Sequence, residues 1–472
     1  MDAYHSTHDP RHAEDLPIRG GALQGAIAID YPAGTGGHRF DKIHIVYDGI
    51  NGQLPNLDLI NTVTTIGNDY MGIGTAIQRA YKHGDSYEER LKTMLHGMLV
   101  QGLGHASGPH SSFIPYHVDA ITLQTVGDGW HDEMTLGRLT ESVFRSLNNL
   151  LEHLHQSFFF YLLMHDRRFV SIGTYLPSAM LVAVNFTIMS IALWVQSGRT
   201  PTAAKTTTET ALQEPGKAKD EVEVIEHRGM VAAVPKELLI TEERRLLSPL
   251  IFIGFAHILG LTPLVSLNGA PADALNNTFF KMALGTTVLP YMAAFFLRTN
   301  GFATQQMLTL IPCISLLILG IALSTLSTLN FSLGLLIGLA ASPLALVQAP
   351  TLQPATHKNK SKDKAIAIAS LVVLHIFSPP AIIYVASALL TNAAPGDVRE
   401  LLLLASEAWT VHSTYTALIV WLVWWPAWFV SVASVACRLI KVPVALKEGV
   451  RSVEAKVKEA EENEQQMSSA RP

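Results

Sequence analysis

The residues of this 472-residue chain that most readily invite chemistry are its 19 histidines and two cysteines. His5, His8 and His12 are spaced by three and four beside Asp9 and Glu14, which would gather them on one helix face, but Pro10 interrupts that face. A second set, His105, His110, His117, His131 and Asp132, is spread over a longer stretch without a recognisable ligand spacing. A hydrolytic zinc centre needs three or four ligands and a carboxylate base, so no metal-ligating set, cofactor or catalytic residue is assigned. Cys313 and Cys437 both lie in apolar runs, with no histidine placed near them by sequence. Cys437 reads either as a juxtamembrane acylation site or as a packed thiol. The other conspicuous chemistry is aromatic. In "WLVWWPAWFV", Trp421, Trp424, Trp425 and Trp428 recur at helical spacing around Pro426, which removes a helix hydrogen bond and opens a bend. His375, shortly before Pro379, is one of few polar residues inside an apolar run. An aromatic groove beside a bend suits acyl chains or a glycan edge; packing against neighbouring helices is the competing reading.

The elements that must position these residues are mostly membrane spans. Hydrophobic residues make up 49% of the chain and charged ones 15%, and mean hydropathy is +0.26, too apolar for an ordinary soluble surface. The net charge of −5 offers no basis for a nucleic-acid partner. Seven apolar runs approach the roughly 20 residues a transmembrane helix needs: 173–195, 247–267, 282–297, 307–328, 332–349, 365–390 and 414–437. Pro379 and Pro380 should kink or split the sixth. Basic residues concentrate in alternate loops, at 197–246, at Arg298, at Lys358 to Lys364 and after Arg438. The positive-inside rule makes those loops cytosolic and puts residues 1–168 on the opposite, luminal side.

Organisation along the chain follows. Residues 1–133 read as an α/β region, with "GALQGAIAIDY" and "DKIHIVYDG" as strands and Ile43, Ile45 and Tyr47 alternating with His44 and Val46. "SYEERLKTMLHGMLVQGL" reads as a helix capped by Ser86 and Glu89, and "SSFIPYHVDAITLQTV" as another strand. Residues 134–168 read as a juxtamembrane element. One long helix over 134–163 carries an apolar stripe from Leu136 to Phe158; Phe158, Phe159, Phe160 and Tyr161 form an aromatic belt, and Arg167 and Arg168 reach lipid phosphates. The first span fills 169–196, a disordered cytosolic loop 197–246, six further helices 247–438 and a cytosolic tail 439–472. Asn51-Gly52 in "INGQLPN" reads as a tight turn that either shapes the fold or presents Asn51 and Gln53 to another subunit.

Three blocks carry a family resemblance: "DGINGQLPNLDLINT" (48–62), "GPHSSFIPYHVDAITL" (108–123) and "LNNLLEHLHQSFFFYLL" followed by "RFVSIGTYLP". In order and spacing they resemble the glycosylphosphatidylinositol (GPI) attachment subunit family of the endoplasmic reticulum GPI transamidase. The resemblance implies a multi-pass α-helical membrane protein of about seven spans, preceded by a partial α/β luminal domain resembling a zinc aminopeptidase. Members carry a further N-terminal span and a longer luminal domain, so the chain reads as an N-terminally truncated member whose Gly21–Tyr31 and Ile43–Tyr47 strands would lack neighbours. In the aminopeptidases a loop reads Ser-Asp-His-x-Pro-Phe; Pro109 stands here where the Asp would be. The implied role is that of a non-catalytic subunit which recognises the GPI lipid and positions it for attachment to precursor proteins with C-terminal GPI signals. The implied partners are the membrane, the GPI lipid and other transamidase subunits, including a caspase-like thiol protease. The implied lipid-binding residues are Pro426, Trp421, Trp424, Trp425, Trp428 and His375. The implied subunit-docking residues are Asn51, Gln53, Asn56, His110, Asn148, His155 and Gln156. A membrane-tethered zinc aminopeptidase or metal-assisted peptide synthetase, and a lipid transporter, are the rival readings.

Overall fold

The computed structural model describes residues 25–32, 38–78, 85–105, 107–149, 159–198, 222–227, 230–235, 243–348, 360–391 and 396–440, with isolated positions before 25 and residue 394. The N-terminal region is built on a four-stranded mixed sheet: β1 (Gly25–Asp30), β2 (Phe40–Val46), β3 (Gly74–Ile77) and β4 (Asp119–His131) in the order β1-β4-β2-β3. β4 runs parallel to β1 and antiparallel to β2, and β3 runs parallel to β2. The strand expected to have an open edge, Ile43–Tyr47, is therefore internal. The short β3, which periodicity did not reveal, supplies its second neighbour. β4 begins only at Asp119; the preceding 109–116 stretch forms two short 3-10 turns, where Pro109 and Pro115 disfavour a ladder.

Alternation divides the sheet into two chemistries. Ile43, Ile45, Ile121 and Leu123 enter a buried core with Leu59, Ile60 and Val63 of α1 (Leu57–Thr64) and Leu136, Leu139 and Val143 of α3 (Glu133–Asn148). The helix between them, α2 (Tyr87–Leu103), starts at Ser86, whose hydroxyl oxygen accepts from the Glu89 backbone N–H, and ends at Gly104 in the left-handed region.

The expected single helix over 134–163 is not present. α3 ends at Asn148, and β5 (Tyr161–His165) pairs antiparallel with β6 (Arg168–Ser171). Burial explains the change. Tyr161, Leu162 and Leu163 are all enclosed, and the Tyr161 hydroxyl donates to the Pro55 carbonyl at 2.8 Å, so Tyr161 is core rather than aromatic belt. The charged residues of the turn face this domain. The carboxylate of Asp166 accepts from Thr75 Oγ1 (2.7 Å) and Asn68 Nδ2 (2.9 Å), Arg167 pairs with Asp69, and Arg168 bonds Asp85 at 2.9 Å. Phe158, His155 and Gln156 lie outside the described residues.

Among the described residues, six helices are long and apolar enough to cross a membrane: α4 (Ile172–Ser197), α5 (Leu247–Asn268), α6 (Leu275–Thr299), α7 (Gln305–Leu329), α8 (Phe331–Gln348) and a last span, Thr416–Leu439. A seventh candidate, either a broken span or a re-entrant loop, is the pair α9 (Lys360–Ile376) and α10 (Pro379–Leu390), bent by 44° over Lys362–Leu390, as the double proline predicts. α11 (Arg399–His412) follows it. Within 197–246, expected to be without structure, Val222–His227 and Met230–Pro235 pair as a hairpin. The last span lies inside the bundle, with Trp425, Trp428, Phe429, Val430, Val432 and Cys437 fully enclosed. Two close approaches pack it. A Cβ on Gly260 of α5 would overlap the Trp421 carbonyl oxygen, and Cys437 Sγ donates to the Ala294 carbonyl at 3.5 Å. Cys437 is therefore a packed thiol, as is Cys313, which donates to the Ser190 carbonyl.

Candidate functional site

The N-terminal region and the bundle are joined through the Asn51-Gly52 turn. Asn51 sits in the left-handed region (φ 59, ψ 25), which asparagine tolerates, and Gly52 follows at φ 76. Its side-chain oxygen accepts from the Tyr415 N–H (2.9 Å), and its carbonyl accepts from the Tyr415 hydroxyl (3.0 Å) and Asn330 Nδ2 (3.1 Å). Asn330, at the entry to α8, also donates to the Gln101 carbonyl (2.9 Å), while its Oδ1 accepts from the Leu333 N–H (3.0 Å). Thr416 donates to the Leu103 carbonyl at 3.0 Å. The turn was legible in sequence; that it seats on the chain's own membrane helices was not.

Other residues expected to dock subunits divide by burial. Asn56 is fully buried and caps α1, accepting from the Asp58 N–H at 2.9 Å. His110 is also fully buried. Its Nε2 donates to the Asp48 carbonyl (3.0 Å), and its Nδ1 therefore accepts from Thr122 Oγ1 (2.9 Å). Burial pushes its pKa down to about 4, so it is a neutral ring with both nitrogens engaged. Neither residue presents an edge to a second chain. Gln53 and Asn148 are exposed. Among the described residues, no three His, Cys, Asp or Glu side chains converge as a metal site.

The polar face of the sheet lines a cleft of about 410 Å³, faced on its far side by α10, α11 and the start of the last span. Asp30, Gln124 and His44 share one row across β1, β4 and β2, a consequence of their pairing register, and Thr122 lies two residues along β4 from Gln124. Gln124 Nε2 donates to Asp30 (2.8 Å), and its Oε1 accepts from His44 Nδ1 (3.1 Å). Asp48, just past β2, is bound through both carboxylate oxygens to Gln78 Nε2 (3.1 and 3.0 Å), and burial raises its pKa to about 7. The opposite wall is Leu390, Leu401, Leu404, Ala405 and Ala408. No sequence argument singled out this cleft. The available signal was the alternation of His44, Val46 and Asp48 against the apolar Ile43, Ile45 and Tyr47.

The residues expected to bind lipid are brought together around the last span, but inside it. Pro426 stands in the first turn of Trp425–Leu439, directly after a π-helical stretch, Val420–Trp424, so the expected bend is a change of helical pitch. Trp421, Trp424, Trp425 and Trp428 are all buried. Trp428 Nε1 donates to the Leu374 carbonyl at 2.6 Å, beside His375, whose Nε2 meets the Tyr291 hydroxyl at 3.1 Å. The indole nitrogens of Trp424 and Trp425 and the Nδ1 of His375 are buried without a hydrogen-bond partner among the described residues.

The sequence profile described as "Gaa1-like, GPI transamidase component" matches residues 1–432. The chain belongs to this family. Among curated relatives of this Gaa1-like chain, the GPI transamidase component gaa1 of Schizosaccharomyces pombe is 39% identical over 185 residues, covering 38% of this chain and 32% of the relative. The GPI transamidase component GAA1 of Saccharomyces cerevisiae is 36% identical over 207 residues, 42% of this chain and 31% of the relative. The aligned part thus spans about a third of the length of each of these relatives.

Proposed function

We propose that this Gaa1-like chain is a non-catalytic subunit of an endoplasmic reticulum GPI transamidase, recognising the GPI lipid and positioning it for transfer to precursor proteins. The reaction joins a carbonyl, held as a thioester on a caspase-like partner subunit, to the amine of the lipid. The neutral amine attacks the carbonyl carbon, the thiolate leaves, and the amine's extra proton passes to a base. A subunit that binds the lipid raises the local concentration of that amine, and proximity of this kind lowers barriers substantially. The basic-residue distribution supports a luminal placement for residues 1–168, where precursor C-termini are processed.

The observation that carries this reading is the build of the last span. Two buried indole N–H groups, Trp424 and Trp425, are unpaired beside a π-helical stretch and Pro426. Unpaired buried donors are costly, and membrane helices tolerate irregular backbone where it serves a cavity or partner. Donors of this kind suit the phosphate or ester oxygens of a lipid admitted when the span shifts against the broken pair α9–α10. The test is recovery of the chain with an immobilised GPI precursor, comparing wild type with Trp424→Phe, Trp425→Phe and Pro426→Ala. The phenylalanine variants keep the ring volume largely intact and remove the donors; a severalfold loss of recovery is expected. Equal recovery from all variants would remove the last span from the lipid site.

A further inference from the structure

The cleft between the sheet and the bundle has two walls of opposite character. Its polar wall presents acceptors: the carboxylates of Asp30 and Asp48, with Gln78, Gln124 and Ser107 close by, and no lysine or arginine among the residues that line it. His105, on the same wall, is held neutral because burial and the nearby His412 lower its pKa. Its other wall is apolar and comes from Leu390 at the end of α10 and Leu401, Leu404, Ala405 and Ala408 along α11. A volume of about 410 Å³ is within the range of small-ligand sites. Asp48 is 7% exposed, its donors are the Gln78 amide, shared between both oxygens, and its own backbone N–H, and no cation pairs with it among the described residues. A buried carboxylate in that state gains most from a positive charge brought against it.

We infer that this cleft binds the head of an amphiphile bearing a primary ammonium, with the ammonium against Asp48 and the alkyl portion against Leu390, Leu401 and Leu404. The site meets the last span only at its first residues, Thr416 and Ala417, and none of that span's tryptophans lines it. It rests on the proposed function only for which amphiphile enters: a GPI bearing a terminal phosphoethanolamine, or bulk phosphatidylethanolamine, which shares the same head chemistry. The hydroxyls of a glycan would meet Gln78 and Gln124.

The test uses the full chain in lipid nanodiscs, with three probes: a GPI precursor ending in phosphoethanolamine, the same precursor N-acetylated at that amine, and a fluorescent phosphatidylethanolamine. The variants are Asp48→Asn, which keeps shape and removes charge, and Ala405→Trp, which fills the cleft from the apolar wall without touching the carboxylates. Trp424→Phe serves as the last-span control. Wild type should bind the amine-bearing precursor at least tenfold more tightly than the N-acetylated one. Asp48→Asn should erase that preference, and Ala405→Trp should weaken both. Equal affinity of wild type for the two precursors overturns the inference. So does a preference that survives Asp48→Asn and Ala405→Trp while Trp424→Phe lowers binding, an outcome that leaves the proposed function standing. If no form binds the precursor, the proposed function fails. The cleft is then judged on phosphatidylethanolamine, whose binding upholds it if lost in Asp48→Asn and overturns it if absent or unchanged.

Discussion

Replacing Asn330 with alanine should loosen the joint between the N-terminal region and the membrane bundle. The side chain makes three hydrogen bonds, to the Asn51 and Gln101 carbonyls and from the Leu333 N–H, and is 1% exposed. Each intramolecular bond is worth about 1 kcal/mol net, and the bond to Leu333 is a helix cap of similar value. The Asn51 carbonyl keeps the Tyr415 hydroxyl and the Gln101 carbonyl keeps the Gly104 N–H, so neither is orphaned outright. The expected loss is therefore about 3 kcal/mol, concentrated at the joint, which corresponds to roughly a 150-fold rise in local opening. Hydrogen exchange by mass spectrometry reads this directly. The Asn51 amide, bonded to the Gly104 carbonyl at 3.1 Å, and the Tyr415 amide should exchange that much faster, while amides inside α7 should not. Thr325→Ala, at an exposed position bonded only to its own helix, is the control. Less than a threefold change at Asn51 and Tyr415 would refute the claim that Asn330 holds the two parts together.

Gly260→Ala should push α5 away from the last span, because the added methyl would overlap the Trp421 carbonyl; a loss of about 1–3 kcal/mol is expected, read as a lower unfolding midpoint. Asp48 titrates at about 7 because of burial, against an ordinary value of 3.8, so its ionisation works against folding. Its contribution is most favourable below pH 4 and falls as pH rises, by about 4 kcal/mol once pH exceeds 7. Asp48→Asn should flatten that slope in a thermal series from pH 4 to 8. What remains should be the opposite trend from His110, whose lowered pKa costs stability as pH falls from 6.5 through about 4. Arg168→Gln, which removes a half-exposed pair with Asp85, should cost under about 1 kcal/mol in the same assay.

The membrane part of the fold was readable because length and apolarity alone decide it, and the break at Pro379-Pro380 follows from a missing N–H. The α3 stripe was readable to Val143 for the same kind of reason. Beyond it, the period stopped being informative. "YLLMHDRRFVS" has too little alternation to announce a hairpin, since Tyr161, Leu162 and Leu163 are buried on both faces. Helical spacing put the four tryptophans together correctly but could not say which way they face; the surrounding bundle decides that. The cleft was hidden for a different reason. Its walls, Asp48 and Leu404, come from opposite ends of the chain, and the joint around Asn51 and α2 brings them together. Nothing local in "STLNFSLG" marks Asn330 as a partner of Gln101.

The Asn51 joint also sets a schedule for synthesis. The bond from the Tyr415 N–H to Asn51 spans 364 residues. At about 5–20 residues per second, a ribosome needs roughly 20–70 s to travel between the two. Throughout that interval the turn is formed but its seat does not exist, and the sheet's polar face has no lid. The N-terminal region must wait in a half-covered form until the final helix is threaded, so closure of one asparagine turn records that the whole bundle has been delivered.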